Sequence, residues 1–339
     1  VAWYAYNLIK NLLVLDQHNQ YTLFYNSSKN LSLPDLTAPN LEVKRFYYSN
    51  KLLSAGLYFF NRPKLDQLAG GGDLFFSPNL HFSALSTKSK NILVVHDLSF
   101  LINPSFFTFK QWLWHKLILK NIKTKTDLFI VDSNSTKNDL INLLGIEESK
   151  IKVVYLGVDE RFYQIVSEEQ KKAIKDKYDL PDRFLLFIGT IEPRKNLQSI
   201  ITALEQAHWP LPLIIAGSYG WKSGKIKKII TQNKNIKYLG YFDEQDKPVL
   251  YQLAQALVYP SYYEGFGLPI LESLASGCPV IAGNNSSQGE ILGDCGLLVD
   301  PFNVNEIRQA IELLMSNSDL RNDFISRGRI KAQEFNWSK

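Results

Sequence analysis

The sequence predicts an α/β protein made of two doubly wound, Rossmann-like domains facing each other across a cleft. Three observations predict it. A length of 339 residues exceeds one ordinary domain and suits two. Short, continuous, β-branched apolar runs recur: NILVVHD, DLFIVDS, KVVYLGVD, FLLFIGT, LPLIIAGS, IKYLGY, ALVYPS and CPVIAG. Runs of this kind read as strands buried on both faces of parallel sheets. Helical patterns separate them, such as NLQSIITALEQA at 196–207 and DKPVLYQLAQA at 246–256, and that alternation marks βαβ units.

The strands divide into two sets. After YLGVDERFY comes a polar, charge-rich stretch, QIVSEEQKKAIKDKYDLPDR, which reads as a linker and hinge. The expected organisation is therefore an N-terminal domain over 1–162, a linker over 163–182 and a C-terminal domain over 183–339. AGGGD at 69–73 reads as a plain turn entering the strand LFFSPN. In doubly wound sheets ligands bind outside the carboxyl ends of the strands, so the residues that follow each run are the ones to inspect.

Composition narrows the class. Hydrophobic residues make up 45% and charged residues 21% of the chain, as in a soluble globular protein with a real core. No apolar run reaches the roughly 18 residues of a spanning helix, and no signal peptide is visible. Cys278 and Cys295 are the only cysteines; their apolar or glycine-flanked settings suggest buried thiols in a reducing, cytoplasmic compartment. The net charge of +5 comes without a helix-turn-helix, RNA-binding or zinc signature, so nucleic acid is not an expected partner. A groove for a phosphorylated small molecule, or an anionic membrane surface, accounts for it as well.

Several motifs are missing. No G-x-G-x-x-G follows a strand, no G-x-x-x-x-G-K-[ST] is present, and GSYGWKSGK at 217–225 has the wrong spacing. There is no G-x-S-x-G elbow and no zinc-type spacing. D-x-D, the usual carboxylate device for holding a divalent ion against a nucleotide diphosphate, is also missing. A phosphate site that uses neither metal nor cofactor is the expectation.

The chemistry concentrates in EGFGLPILESLASG. Pro269 suits the first helical position and Gly277 the residue after the last, which predicts a helix over roughly 269–276. Its open amides, with those of Phe266, Gly267 and Leu268, make a concave donor cluster suited to an anion, and Gly265 and Gly267 let the backbone approach a ligand. Glu264 precedes this cluster and Glu272 follows it, so both carboxylates can border one pocket. A carboxylate accepts paired hydroxyl hydrogens, so a polyol on each side of a phosphate group fits, and a sugar nucleotide has that layout. Glu272 also suits a helix N-terminus for its own sake. A second cluster, LLFIGTIEPRKNLQSII, ends a buried strand in Gly189-Thr190 and places Arg194 and Lys195 before a helix capped by Asn196. Two adjacent cations there can neutralise a diphosphate; a solvated turn is the plainer alternative. In NILVVHDLSF, His96 and Asp97 end another strand, and a histidine so placed serves either a ligand or the fold.

These motifs, with YAYNLIKNLL, DSNSTKNDL, AGSYGW and GDCGLLVDP, resemble the GT-B fold retaining glycosyltransferases of family four over nearly the whole chain. The resemblance implies that Glu264 touches the donor sugar's hydroxyls and Glu272 the nucleotide ribose. It implies that Arg194 and Lys195 hold the diphosphate and that His96 sits against the sugar near the reacting carbon. The backbone after Gly240, at Tyr241 and Phe242, would meet the base. The family usually opens with a strand and a glycine loop; here Ala2 and Trp3 replace the usual Gly and a frequent Arg, and the closing helix that crosses back to the first domain is largely missing.

The expected activity is a metal-independent, retaining transfer of a hexose from a nucleotide diphosphate sugar to a glycan or lipid-linked glycan. HDLSFL with GTIEPRKNL looks most like the family's mannosyltransferases, so GDP-mannose is the expected donor. With no carboxylate nucleophile evident near His96, front-face substitution is expected. A GT-B epimerase or glycan phosphorylase and a non-catalytic sugar-nucleotide-binding subunit are the alternatives. FFTFKQWLWHKLILKNIKTKTD at 106–127 places Lys116, Lys120 and Lys123 on one helical face, suited either to packing on its own domain with solvated lysines or to an anionic membrane surface.

Overall fold

The computed structural model describes residues 2–27, 36–120, 122–207 and 211–337. In the N-terminal half, β1 (Tyr21–Asn26) and β2 (Leu41–Phe46) form a parallel pair of their own. The strands β3 (Leu74–Ser77), β4 (Lys90–Val95), β5 (Leu128–Val131) and β6 (Ile151–Val153) form a parallel sheet in sequential order. The C-terminal half contributes β7 (Leu185–Ile188), β8 (Leu213–Ala216), β9 (Ile236–Gly240), β10 (Ala256–Tyr259), β11 (Val280–Gly283) and β12 (Leu297–Val299), all parallel, in the order β12-β11-β10-β7-β8-β9. Counted from β7, this is the dinucleotide-fold order, and its direction of progress reverses between β7 and β10. The two sheets and their helices make the two Rossmann-like units of the predicted class.

The apolar runs form strands for the expected reason. Every residue of β7, β8, β10 and β11 is buried, so each needs an apolar side chain on both faces. The sequence reading missed three strands. β1 and β2 are only half-buried and carry Thr22, Glu42, Lys44 and Arg45 among their apolar residues, while β12 has three residues.

The stretch read as a charged, unpatterned linker contains an ordered helix, Glu168–Tyr178. Ser167 and Gln170 close a capping box at its start, and Ile174 buries its inner face in the C-terminal core. Its charges form the solvated face of that helix, with pairs such as Lys172–Asp176 at 2.8 Å. The start of the chain is also a helix, Ala2–Leu15. Trp3 meets Trp337 edge-on at 5.5 Å, and the Val158 amide donates to the Phe335 carbonyl at 3.2 Å. The chain therefore does return to the first half, through residues after the helix Ser318–Ala332. Tyr4, Val94, Leu156 and Val158 join the C-terminal core, which runs across the boundary. Cys278 and Cys295 are free and buried as expected; burial pushes the Cys278 thiol up to about 12. Among the described residues no helix is long and apolar enough to cross a membrane.

Residues 106–127 do not form one amphipathic helix. Thr108 and Gln111 cap a helix that ends at Leu119, and Ile122–Lys125 is a separate short one. Lys116 and Lys120 are exposed, and the Lys116 ammonium lies over the Trp112 ring. The single face shared with Lys123 is broken between the two helices.

Candidate active site

Two loops meet at the reversal of strand order, 189–196 after β7 and 260–267 after β10. The second leads into the helix Leu268–Ser276, which begins at Gly267 with φ 107° and ends at Gly277 with φ 75°; both angles favour glycine. The helix starts one residue earlier than expected, so Pro269 is its second residue and Glu272 its fifth. Among the described residues, the amides of Phe266 and Gly267 donate to no acceptor. The Phe266 side chain is buried beside Phe335, so this residue contributes its backbone.

Arg194, Lys195, Glu192 and Glu264 form one buried charge cluster. Glu264 accepts from Arg194 Nη1 at 2.9 Å and from Lys195 Nζ at 2.7 Å. Arg194 also donates to the Tyr263 carbonyl at 2.7 Å and to Glu192 Oε1 from Nη2 at 2.8 Å and from Nε at 3.1 Å. Lys195 donates to the Tyr259 hydroxyl as well. The cations expected to face a diphosphate are therefore already neutralised, two against two. Arg194 commits four of its five N–H groups and Lys195 two of three, leaving one donor on each. Burial alone would raise the Glu264 carboxyl, but Arg194 and Lys195 hold it down to about 2 from the usual 4.5.

That depression sets a pH dependence. A carboxylate with a lowered folded-state pKa contributes stability that is present above the unfolded value and lost as pH falls through the folded one. For Glu264 the window runs from 4.5 down to about 2, and such a shift is worth about 3 kcal/mol. Denaturant unfolding of the wild type and Glu264→Gln should therefore differ most above the window and converge towards its acid end. A difference that stays constant through that range would refute the assignment.

Glu272 has its own partners. Its Oε1 and Oε2 lie 2.9 and 2.8 Å from Lys247 Nζ, and Oε2 accepts from the Tyr251 hydroxyl at 2.9 Å. Lys247 opens the helix Lys247–Leu253, which follows the Tyr241–Phe242 loop at the end of β9. Tyr241 is 83% exposed and Phe242 is buried. Since β9 lies two strands from β7, their ends are separated by about 10 Å. Gly189 leads from β7 into the Arg194 loop, with its amide donating to Ala216 at 2.9 Å.

His96 directly follows β4, and its ring is held by partners from distant segments. Its Nδ1 lies 2.6 Å from Asp132 Oδ2, its Nε2 lies 3.0 Å from the Pro78 carbonyl, and the Tyr4 ring packs edge-on at 4.8 Å. Both ring nitrogens are engaged within the N-terminal half. The carboxyl of Asp132, raised by burial, is taken up by that ring, and Asp97, next in the chain, accepts from the Ser99 amide and hydroxyl. The His96 backbone, by contrast, faces the other half. A Cβ at Gly265 would lie 2.0 Å from the His96 carbonyl oxygen. Asn196 also departs from its expected role. It starts the helix Leu197–Gln206 without a side-chain cap, and its Nδ2 ties together the Pro260 and Pro301 carbonyls at 3.0 and 2.7 Å.

The sequence reading missed Glu192, Tyr259, Asp132 and Lys247. Glu192 and Asp132 lay in view within TIEPRKN and DSNST at strand ends. Tyr259 is the last residue of β10, so its strand-end place was also in view, whereas Lys247 opens a helix and carried no local signal.

Residues 168–331 match the family model for glycosyl transferases group 1, and residues 1–162 match that for Glycosyltransferase Family 4. The chain is a group 1 glycosyltransferase. It is 27% identical to the O-antigen chain mannosyltransferase B of Escherichia coli, over 99% of this chain and 92% of that protein. The glycosyltransferase also shares its fold with sucrose-phosphate synthase from Thermosynechococcus elongatus, at a TM-score of 0.75 and 21% identity over 99% of this chain and 89% of that one. Anabaena HepE, solved with UDP and glucose, superimposes with a TM-score of 0.71 and 18% identity, covering 94% and 96% of the two chains. These neighbours place the glycosyltransferase in the GT-B fold.

Proposed function

We propose that this glycosyltransferase moves mannose from GDP-mannose to a glycan or lipid-linked glycan, with retention of configuration and without a metal ion. The observation that carries the reading is the buried Arg194–Lys195–Glu264 cluster at the reversal of strand order. The two uncommitted donors on Arg194 and Lys195 and the open amides of Phe266 and Gly267 suit the diphosphate. In this reading Glu264 also accepts from sugar hydroxyls through its remaining lone pairs, and Glu272 takes the ribose. The base lies at Tyr241 and Phe242, about 10 Å along the sheet from Arg194. His96 borders the sugar through its backbone, its ring being occupied by Asp132 and Pro78. The bond from the anomeric carbon to the diphosphate oxygen breaks as the acceptor oxygen attacks from the same face. The departing diphosphate, held by the two cations, takes the acceptor's proton.

Similarity to an O-antigen chain mannosyltransferase supports both the sugar and a role in cell-surface polysaccharide or lipopolysaccharide synthesis. The reading includes a cytoplasmic enzyme that reaches its acceptor at the membrane through 106–127, where Phe109 and Trp114 are exposed near Lys116. The test is radiolabel transfer from GDP-mannose and from UDP-sugars to lipid-linked glycan acceptors, with and without EDTA. Transfer from GDP-mannose that survives chelation is the expected result. A requirement for added magnesium or manganese would remove the metal-free mechanism, and a preference for a UDP-sugar would replace the donor.

A further inference from the structure

The loop carrying Glu264 is gripped by the N-terminal half on either side of that residue. The Tyr262 ring stacks on Phe106 at 5.6 Å and 15°, and the Tyr263 hydroxyl donates to Asp139. The Gly265 carbonyl accepts from Ser133 Oγ at 2.7 Å. Glu264 alone turns its side chain back to Arg194 and Lys195. The loop after β8 is gripped by the same segment of the N-terminal half. Trp221 Nε1 donates to the Phe106 carbonyl at 2.7 Å, its ring stacks on Phe107 at 5.7 Å and 24°, and Lys222 Nζ donates to the Ser105 carbonyl at 2.7 Å.

This second loop is bolted to the one that carries Arg194. The Ile191 amide donates to the Ser218 carbonyl and the Gly220 amide to the Ile191 carbonyl, both at 2.9 Å. A Cβ on Gly220 would lie 2.8 Å from Thr190 Cγ2, so the two loops cannot shift independently. A single turn, Ser105–Phe107, thus bears on both loops of the charge cluster. We infer that Trp221 is a positioning residue: through it the docked N-terminal domain sets the Arg194–Lys195 loop against Glu264 for transfer. Trp221 does not touch the cluster itself and acts through the backbone of residues 190–191 and 218–220. The inference rests on the assignment of the donor diphosphate to that cluster.

The test compares the full chain with Trp221→Ala, which loses both the stack and the hydrogen bond, and Trp221→Phe, which loses the N–H donor. Each is measured for kcat and KM with the nucleotide sugar that the wild type uses, and for calorimetric affinity toward GDP and UDP. The expected pattern is a fall in kcat of about tenfold or more for Trp221→Ala, from misplacement alone, that clearly exceeds any accompanying loss of nucleoside diphosphate affinity. Trp221→Phe should fall between them with an unchanged melting temperature, and it carries the test if the alanine variant unfolds. Unaltered kcat in a folded variant overturns the inference. So does a parallel loss of diphosphate affinity, which would make Trp221 a support of the C-terminal loop only. Wild-type turnover is the control: without turnover on any nucleotide sugar the functional reading fails and takes this one with it, whereas an active wild type and an unaffected variant overturn this inference alone.

Discussion

Arg194→Ala is expected to cost about 2 to 4 kcal/mol of transition-state stabilisation, a fall of roughly 30- to 1000-fold in kcat/KM. The motive is its position, with one uncommitted N–H beside Lys195 and with Glu264 and Glu192 both leaning on it. The same substitution should reduce folding stability, because it strips a buried partner from two carboxylates, and breaking a buried pair costs about 3 to 5 kcal/mol. Arg194→Lys separates the two effects. An ammonium restores charge but not the forked geometry that reaches Tyr263, Glu264 and Glu192 together. It should regain stability more fully than turnover. Steady-state kinetics and denaturant unfolding on both variants test this, and an alanine variant within about threefold of wild-type kcat/KM would remove Arg194 from the mechanism.

Gly265→Ala should have an effect of similar size through a different cause. The added methyl would lie 2.0 Å from the His96 carbonyl oxygen and 2.8 Å from Asp97 Cβ, and the first of these is backbone that cannot swing aside. The halves must then part locally, which also breaks the Ser133–Gly265 hydrogen bond. Turnover should fall by about 100-fold or more, as displacements of about an ångström do, while each sheet stays folded. Small-angle scattering should show a larger radius of gyration, and circular dichroism should be unchanged. Wild-type activity in this variant would mean that the contact between Gly265 and His96 is no part of the working state.

How much of this was readable in advance depends on whether the signal was local. Buried parallel strands announce themselves because both faces demand apolar residues, so β4, β5, β7, β8, β10 and β11 stood out while the half-buried β1 and β2 did not. The helix after Gly267 was legible from Pro269 and Gly277, which act through their own backbone. The convergence of Arg194, Lys195 and Glu264 followed from strand-end positions in a doubly wound sheet. Their mutual neutralisation did not, because pairing between residues some 70 positions apart has no trace in either segment. The partners of the His96 ring went unread for the same reason, since Asp132 and Pro78 reach it through the fold. The charged stretch at 163–182 misled because a helix with one buried residue, Ile174, presents almost nothing but its polar face to the reader.

The bond between the Val158 amide and the Phe335 carbonyl joins the outgoing crossing of the chain to its return. With Trp337 wedged against Trp3 and Tyr4 beside it, the two passages form a seam that joins the halves. A seam of this kind removes degrees of freedom: neither half can slide along the other without tearing it, and rotation about it is what remains. Tyr4, part of that seam, also packs edge-on against the His96 ring at 4.8 Å, so the place where the chain crosses and the end of β4 are one packed unit.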